Sequence, residues 1–279
     1  MSRLDLLTRT WWRGVGREVA LDGAHTWLAG PTSSEGERVG EGWLEEYAAR
    51  WSGEAVESPD GGLLADMSVL DGPGFRAGEL DPRVRDFYEH TARWRMEVWV
   101  GWSAWAWPGG ELISRLFGTR VGQLALPTRS LDVAHGMDSR VVVIRGADGR
   151  QRAAGWLRSL RETGTVVYSG CYSTRTLPGA DRPSVHVAFP LERGNVQVFL
   201  RPENGPDGSL LLRSPAGAFG ADGAYVVVEH GRGTFASRAP VHETFRVHVD
   251  GEGVVRTDHD LRLGRASAVR LHYRLEPRT

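Results

Sequence analysis

From residue 138 to the C-terminus the chain reads as one short alternating segment after another, and no connection between them is long enough to hold a crossover helix. This constrains the fold more than any other feature. Residues 140–145, 151–160, 165–174, 184–189, 195–201, 209–213, 225–229, 234–238, 244–249, 254–263 and 267–275 carry strand patterning bounded by turn signals. Ala147-Asp148-Gly149, Pro206-Asp207-Gly208, Ala221-Asp222-Gly223 and Asp250-Gly251-Glu252-Gly253 occupy four of the connections with hairpin chemistry. Parallel pairing needs a crossover of about a dozen residues or more, so the sheet should be antiparallel. So many strands laid flat would expose long edges, and closure is the common remedy. The expected fold is mainly β: an antiparallel β-barrel or strongly curved sheet with a few covering helices.

The first part of the chain is read differently. Residues 1–78 are expected to form a helical and irregular segment packed on the barrel, with residues 79–279 as the barrel domain. Val19, Leu21, Trp27 and Leu28 flank Asp22-Gly23, a pair that suits a hairpin turn. Trp43, Leu44, Tyr47, Ala48 and Trp51 recur at helical spacing and form an apolar stripe able to cover the sheet. Asp81 and Pro82 open a second helix, whose Val84, Phe87, Tyr88 and Thr91 share a side. Alternation then begins: Trp94, Met96, Val98, Val100 and Trp102 face one way, and Arg95, Glu97 and Trp99 the other. A short helix through Leu112, Ile113, Leu116 and Phe117 is expected to end at Gly118.

Charge and composition exclude several function classes. The 34 basic residues are all arginine and face 35 acidic ones, a formal net charge of −1, which removes the electrostatic case for nucleic acid or an anionic membrane as main partner. Without lysine there is no Schiff-base chemistry and no P-loop or kinase-type lysine on a phosphate. The single cysteine, Cys171, rules out an internal disulfide and multi-cysteine metal sites, and suits a cytoplasmic setting. No stretch approaches the ~20 apolar residues of a spanning helix, and Met1 to Thr10 lead into no secretory h-region. Neither integral membrane association nor secretion is expected.

Several strings carry a family resemblance. Leu80-Asp81-Pro82-Arg83-Val84-Arg85-Asp86-Phe87-Tyr88-Glu89-His90-Thr91, Gln123-Leu124-Ala125-Leu126-Pro127, and Asp258-His259-Asp260-Leu261-Arg262-Leu263 with Leu271-His272-Tyr273 resemble the soluble C-terminal part of the bacterial YndJ-like proteins. More distantly they are similar to a domain of unknown function attached to reductase-like NAD-binding domains. The likeness covers residues 80 to 275 and implies no activity and no catalytic residues.

The residues themselves offer three constellations. Five of the 11 tryptophans lie between Trp94 and Trp107, which suits a core, a ligand-cavity wall or an interface. If Trp156 and Tyr168 face inward, the two-residue period carries Arg158 and Tyr172 in with them. A buried arginine is costly in a dry core and reasonable in a cavity that holds an anionic or carbonyl group; the opposite register would leave it in solvent. In Asp258-His259-Asp260 the histidine projects away from both aspartates, so an acid/base role would need a carboxylate from another strand, such as Glu243 or Glu229.

Other chemistry is poorly supported. His242 and His248 share parity but sit too far apart along an extended strand to chelate one ion, so no metal is expected. Gly14-Val15-Gly16 is an incomplete dinucleotide fingerprint, no serine sits in a nucleophile elbow, and Cys171 reads as a small core residue. The leading expectation is a cofactor-free binding barrel for a lipophilic small molecule, with Trp94, Trp99, Trp102, Trp156, Arg158, Tyr168 and Tyr172 as ligand residues. Alternatives are an isomerase or cyclase using His259 in the same cavity, and a module that docks a partner protein through its aromatics.

Overall fold

A computed structural model of the protein describes residues 14–33, 40–102, 137–161, 164 and 166–278, apart from the side chains of Val100, Trp102 and Val167. The strands are β1 (Arg17–Glu18), β2 (Glu54–Glu57), β3 (Trp94–Trp102), β4 (Met137–Arg145), β5 (Gln151–Leu160), β6 (Val166–Arg175) and β7 (Ser184–Leu191). They continue as β8 (Gly194–Asn204), β9 (Leu210–Arg213), β10 (Gly223–His230), β11 (Gly233–Arg238), β12 (Val241–Val249), β13 (Val255–Leu263) and β14 (Ala266–Pro277). The helices are α1 (Trp43–Ala49) and α2 (Pro82–Glu89). The expected helix over Leu112 to Phe117 and the string Gln123 to Pro127 lie outside the described residues, as do Trp105 and Trp107.

All 14 strands belong to one sheet, and every strand pair within it is antiparallel. The main order is β2-β4-β5-β6-β7-β8-β9-β12-β13-β14-β3. The long strand β8 divides its free edge: residues 194–199 pair with β10, and residues 201–204 pair with β9. β10 continues through β11 to β1, giving the sheet a side branch. Curvature brings β3, at one end of the order, back beside β4. Arg278 spans that junction, donating to Trp94 O at 3.3 Å and to Ser139 O at 2.6 Å. No backbone pairing among the described residues closes the sheet there.

Period-two alternation sorts the side chains onto two faces. The inner face carries Trp94 from β3, Trp156 from β5, Val187 and Phe189 from β7, Val198 and Leu200 from β8, Val247 from β12 and Leu275 from β14. Leu63, Leu64, Met67, Leu70 and Phe75 from the preceding segment join this core, together with Val84, Phe87 and Tyr88 of α2. Asp81 caps α2 by accepting a hydrogen bond from the Arg83 amide at 2.9 Å, and Pro82 occupies its first turn.

The outer face is covered as well. The stripe of α1 lies on Val142, Ile144, Ala153, Leu157, Cys171 and Ala188. The helix approaches closely because β5 has no side chain at Gly155, where an added Cβ would sit 2.3 Å from Leu44 Cδ2. Trp43 is fully buried and its Nε1–H donates to Ser169 Oγ at 2.9 Å. A third cluster seats Trp27 and Leu28 on Phe199, Tyr225 and Val227.

Asp22-Gly23 does turn the chain but does not join two strands. Gly23 and His25 both donate their amides to Ala20 O, and Thr26–Leu28 then forms a single 3-10 turn. The strand before it, β1, pairs with β11 instead. Burying Trp27 on the sheet outweighs the local hairpin preference.

Candidate binding cavity

Inside the curved sheet lies a cavity of about 180 Å³ whose lining draws on β3 to β9 and β12 to β14, closed over by Leu63, Phe87 and Tyr88. Its walls are overwhelmingly apolar, and the polar groups that reach it converge from five strands. Arg158 comes from β5, Tyr168 and Tyr172 from β6, Glu243 from β12, Thr257 and His259 from β13, and Tyr273 from β14.

Arg158 enters because Trp156 and Arg158 share parity on β5, opposite Gly170 and Tyr168 of β6. Only 9% of its surface is exposed. The guanidinium carbon lies 3.9 Å from the Trp156 ring centroid, 4.6 Å from that of Tyr168 and 5.8 Å from that of Tyr273. Its Nε is buried without a hydrogen-bond partner, and among the described residues no carboxylate lies within ion-pair distance. Three ring faces and a hydrogen bond to the Tyr273 hydroxyl hold the guanidinium and leave Nε unpaired.

The two phenols meet above it, with Tyr168 Oη and Tyr172 Oη 2.8 Å apart. Gly170 between them permits this, since a Cβ there would stand 2.9 Å from Tyr168 Oη. Burial is the main cause that raises both hydroxyls above the usual tyrosine range, Tyr172 to about 12, and Tyr273 is raised in the same way. All three therefore stay protonated at neutral pH, and the Tyr168–Tyr172 pair keeps one hydroxyl proton free to donate.

On the opposite strands, His259 stacks on Phe245 at 3.8 Å between centroids, 16° from parallel. The β12–β13 register places Phe245 across from His259 and Glu243 across from Leu261, so Glu243 is the diagonal neighbour of the histidine. His259 Nε2–H donates to Glu243 Oε1 at 3.2 Å. Its Nδ1 is buried and has no partner among the described residues.

Of the residues singled out from the sequence, Trp156, Arg158, Tyr168, Tyr172 and His259 line this cavity. Two do not. Trp99 points outward, 51% exposed, and packs on His272 with centroids 6.0 Å apart, because it sits on the odd face of β3. Trp94 is inward but lies in the core behind Phe87, with its Nε1–H donating to Asp86 Oδ2 at 2.9 Å. The Trp102 side chain is outside the described residues. Residues the sequence reading passed over are Tyr273 and Phe245; Tyr273 shares parity with Leu271 and Leu275, and that was its only signal.

Two other constellations are sealed from any ligand. Ser173 Oγ–H donates to His186 Nδ1 at 2.9 Å, His186 Nε2–H donates to Gln197 Oε1 at 2.7 Å, and Gln197 Nε2 donates to Leu28 O at 3.0 Å. This chain looks like a nucleophile, base and orienting group, yet Ser173 is 3% exposed and His186 not at all. Burial lowers His186 to about 3, which fixes it as the neutral link of a structural network. Cys171 is buried under α1, and burial pushes its thiol up to about 12, so it is a poor nucleophile. Among the described residues, no cluster of three or more metal-ligating side chains forms.

No family model matches the chain, no curated protein matches it, and no solved structure matches it.

Proposed function

We propose that the protein binds a small lipophilic molecule bearing an acidic or carbonyl group, inside a barrel-like cavity, as a cytoplasmic protein. One observation carries this reading: the Arg158 guanidinium is buried at an apolar cavity and has no carboxylate partner among the described residues. An uncompensated buried charge costs several kcal/mol, and an anionic or strongly polarised ligand oxygen would offset that cost. The volume sets the ligand's size. At about 180 Å³ it is slightly larger than a cavity that holds benzene, so a single substituted ring or a short acyl chain fits. The return of β3 beside β4 supports a barrel, and the lone buried thiol is compatible with a reducing compartment. The YndJ-like resemblance implies no activity and bears on neither point.

Octanoate serves as a probe. Burying seven alkyl carbons at about 0.8 kcal/mol each contributes about 5–6 kcal/mol, and a charge-assisted hydrogen bond about 1.5–3. Association costs at least about 4 kcal/mol, so the expected Kd is on the order of 1 mM. Trp156 stands against Arg158 and reports occupancy through its fluorescence. Octanoate should change the emission saturably in that range, and octylammonium should not. No saturable response to octanoate, or an equal response to the cation, overturns the reading.

A further inference from the structure

We infer that the cavity is also a proton-transfer site, in which His259 moves a proton at a carbon next to the carbonyl of a small enolisable ketone or aldehyde while Arg158 holds the carbonyl oxygen. The inference rests on the binding reading above and adds catalysis to it.

The tautomer of His259 is the first support. A carboxylate accepts hydrogen bonds, so the 3.2 Å contact with Glu243 places a proton on Nε2, and in the neutral ring the lone pair is then on Nδ1. That nitrogen is buried and partnerless among the described residues, on a ring that lines the cavity. A histidine oriented by a carboxylate through one nitrogen and free at the other is the arrangement of a general base. The stack on Phe245 holds the ring against rotation.

The second support is the position of the positive charge. Tyr273 stands across from Thr257 on β13, diagonal to His259, and its ring is 5.8 Å from the Arg158 guanidinium. Base and cation therefore flank the same tyrosine, in a space equal in volume to a sphere about 7 Å across. Tyr168 stands beside the guanidinium and shares a hydrogen bond with Tyr172, so the oxygen that gains charge would meet the one hydroxyl proton this pair leaves free.

The chemistry balances without a co-reactant. His259 Nδ1 takes the proton from the carbon next to the carbonyl, and the C–H electron pair becomes the C=C bond of an enolate. The carbonyl π pair moves onto oxygen, where Arg158 compensates the charge. Nδ1–H exchanges with solvent and returns a solvent-derived proton to the same carbon, or passes its proton to the γ carbon of a β,γ-unsaturated ketone, which completes an isomerisation. Glu243 is a positioning residue, since it acts through His259 and moves no proton of its own in this step.

Two ketone probes of cavity size test this with the full chain. Cyclohexanone in D₂O reports α-proton exchange by NMR, and cyclohex-3-en-1-one reports conversion to the conjugated enone by ultraviolet absorbance. Both should proceed faster than with an equal concentration of free imidazole. His259→Ala should lower the rate about 10²–10⁴-fold. His259→Gln, which keeps a donor to Glu243, should lose activity equally while retaining the wild-type fold. Glu243→Ala should reduce kcat with KM little changed, whereas a merely structural role would alter unfolding and not that ratio. Saturable fluorescence binding of cyclohexanone with exchange no faster than imidazole overturns this inference alone. No saturable response to cyclohexanone or octanoate overturns the binding reading and this inference with it.

Discussion

Replacing Arg158 by methionine should make the protein more stable and a poorer binder at once. Methionine approximates the buried length of the side chain and fills the space between Trp156, Tyr168 and Tyr273 without charge. Two ring contacts at 3.9 and 4.6 Å hold the guanidinium, each worth on the order of 1–2 kcal/mol when desolvated, or about 2–4 together. Against this stands a desolvation cost of several kcal/mol for a cation 91% removed from solvent with no counter-ion among the described residues. The difference favours the variant by about 1–3 kcal/mol, which for a chain of this size raises Tm by about 2–4 °C per kcal/mol. The same substitution removes the charge-assisted hydrogen bond, so octanoate affinity should fall about tenfold or more. Thermal unfolding by circular dichroism and an octanoate titration on one preparation measure both. A variant that is less stable than wild type by more than about 1 kcal/mol, with unchanged octanoate affinity, would refute the reasoning and make Arg158 a packing residue.

Two further outcomes concern the fold. His186 is held at about 3 when folded and returns to about 6.5 when unfolded, so the unfolded chain takes up the proton first as pH falls. Its contribution is whole above about pH 6.5 and is lost toward pH 3; urea denaturation should show about 2 kcal/mol less stability at pH 5 than at pH 7, and His186→Gln should flatten that slope. Gly155→Ala forces a Cβ within 2.3 Å of Leu44 Cδ2 and should cost about 1–3 kcal/mol, and pairing it with Leu44→Ala should cost less than the sum of the two single changes in a double-mutant cycle. Strict additivity would mean that α1 does not sit on β5 as described.

Much of the fold was legible because the information is local. Each expected strand after residue 138 appears within about three residues of its bounds, since a period-two stretch between Asp-Gly turns specifies a strand without reference to its partner. Parity likewise put Trp156, Arg158, Tyr168 and Tyr172 on one face, and it put Trp99 on the wrong face for a cavity residue. What could not be read was non-local. The contact between His259 and Glu243 depends on the β12–β13 register, and β1 and β2 are too short for alternation and exist by pairing with β11 and β4. Hairpin chemistry at Asp22-Gly23 was overridden by the burial of Trp27, a tertiary gain invisible in the local sequence.

If Arg158 awaits an acidic or carbonyl oxygen inside the sheet, a crystal structure of the octanoate complex will show that oxygen on its guanidinium. One carboxylate oxygen should lie about 2.7–2.9 Å from the Arg158 guanidinium, with the alkyl chain among Phe189, Val198 and Leu271. A carboxylate in bulk solvent, or a chain bound outside the cavity, would contradict it.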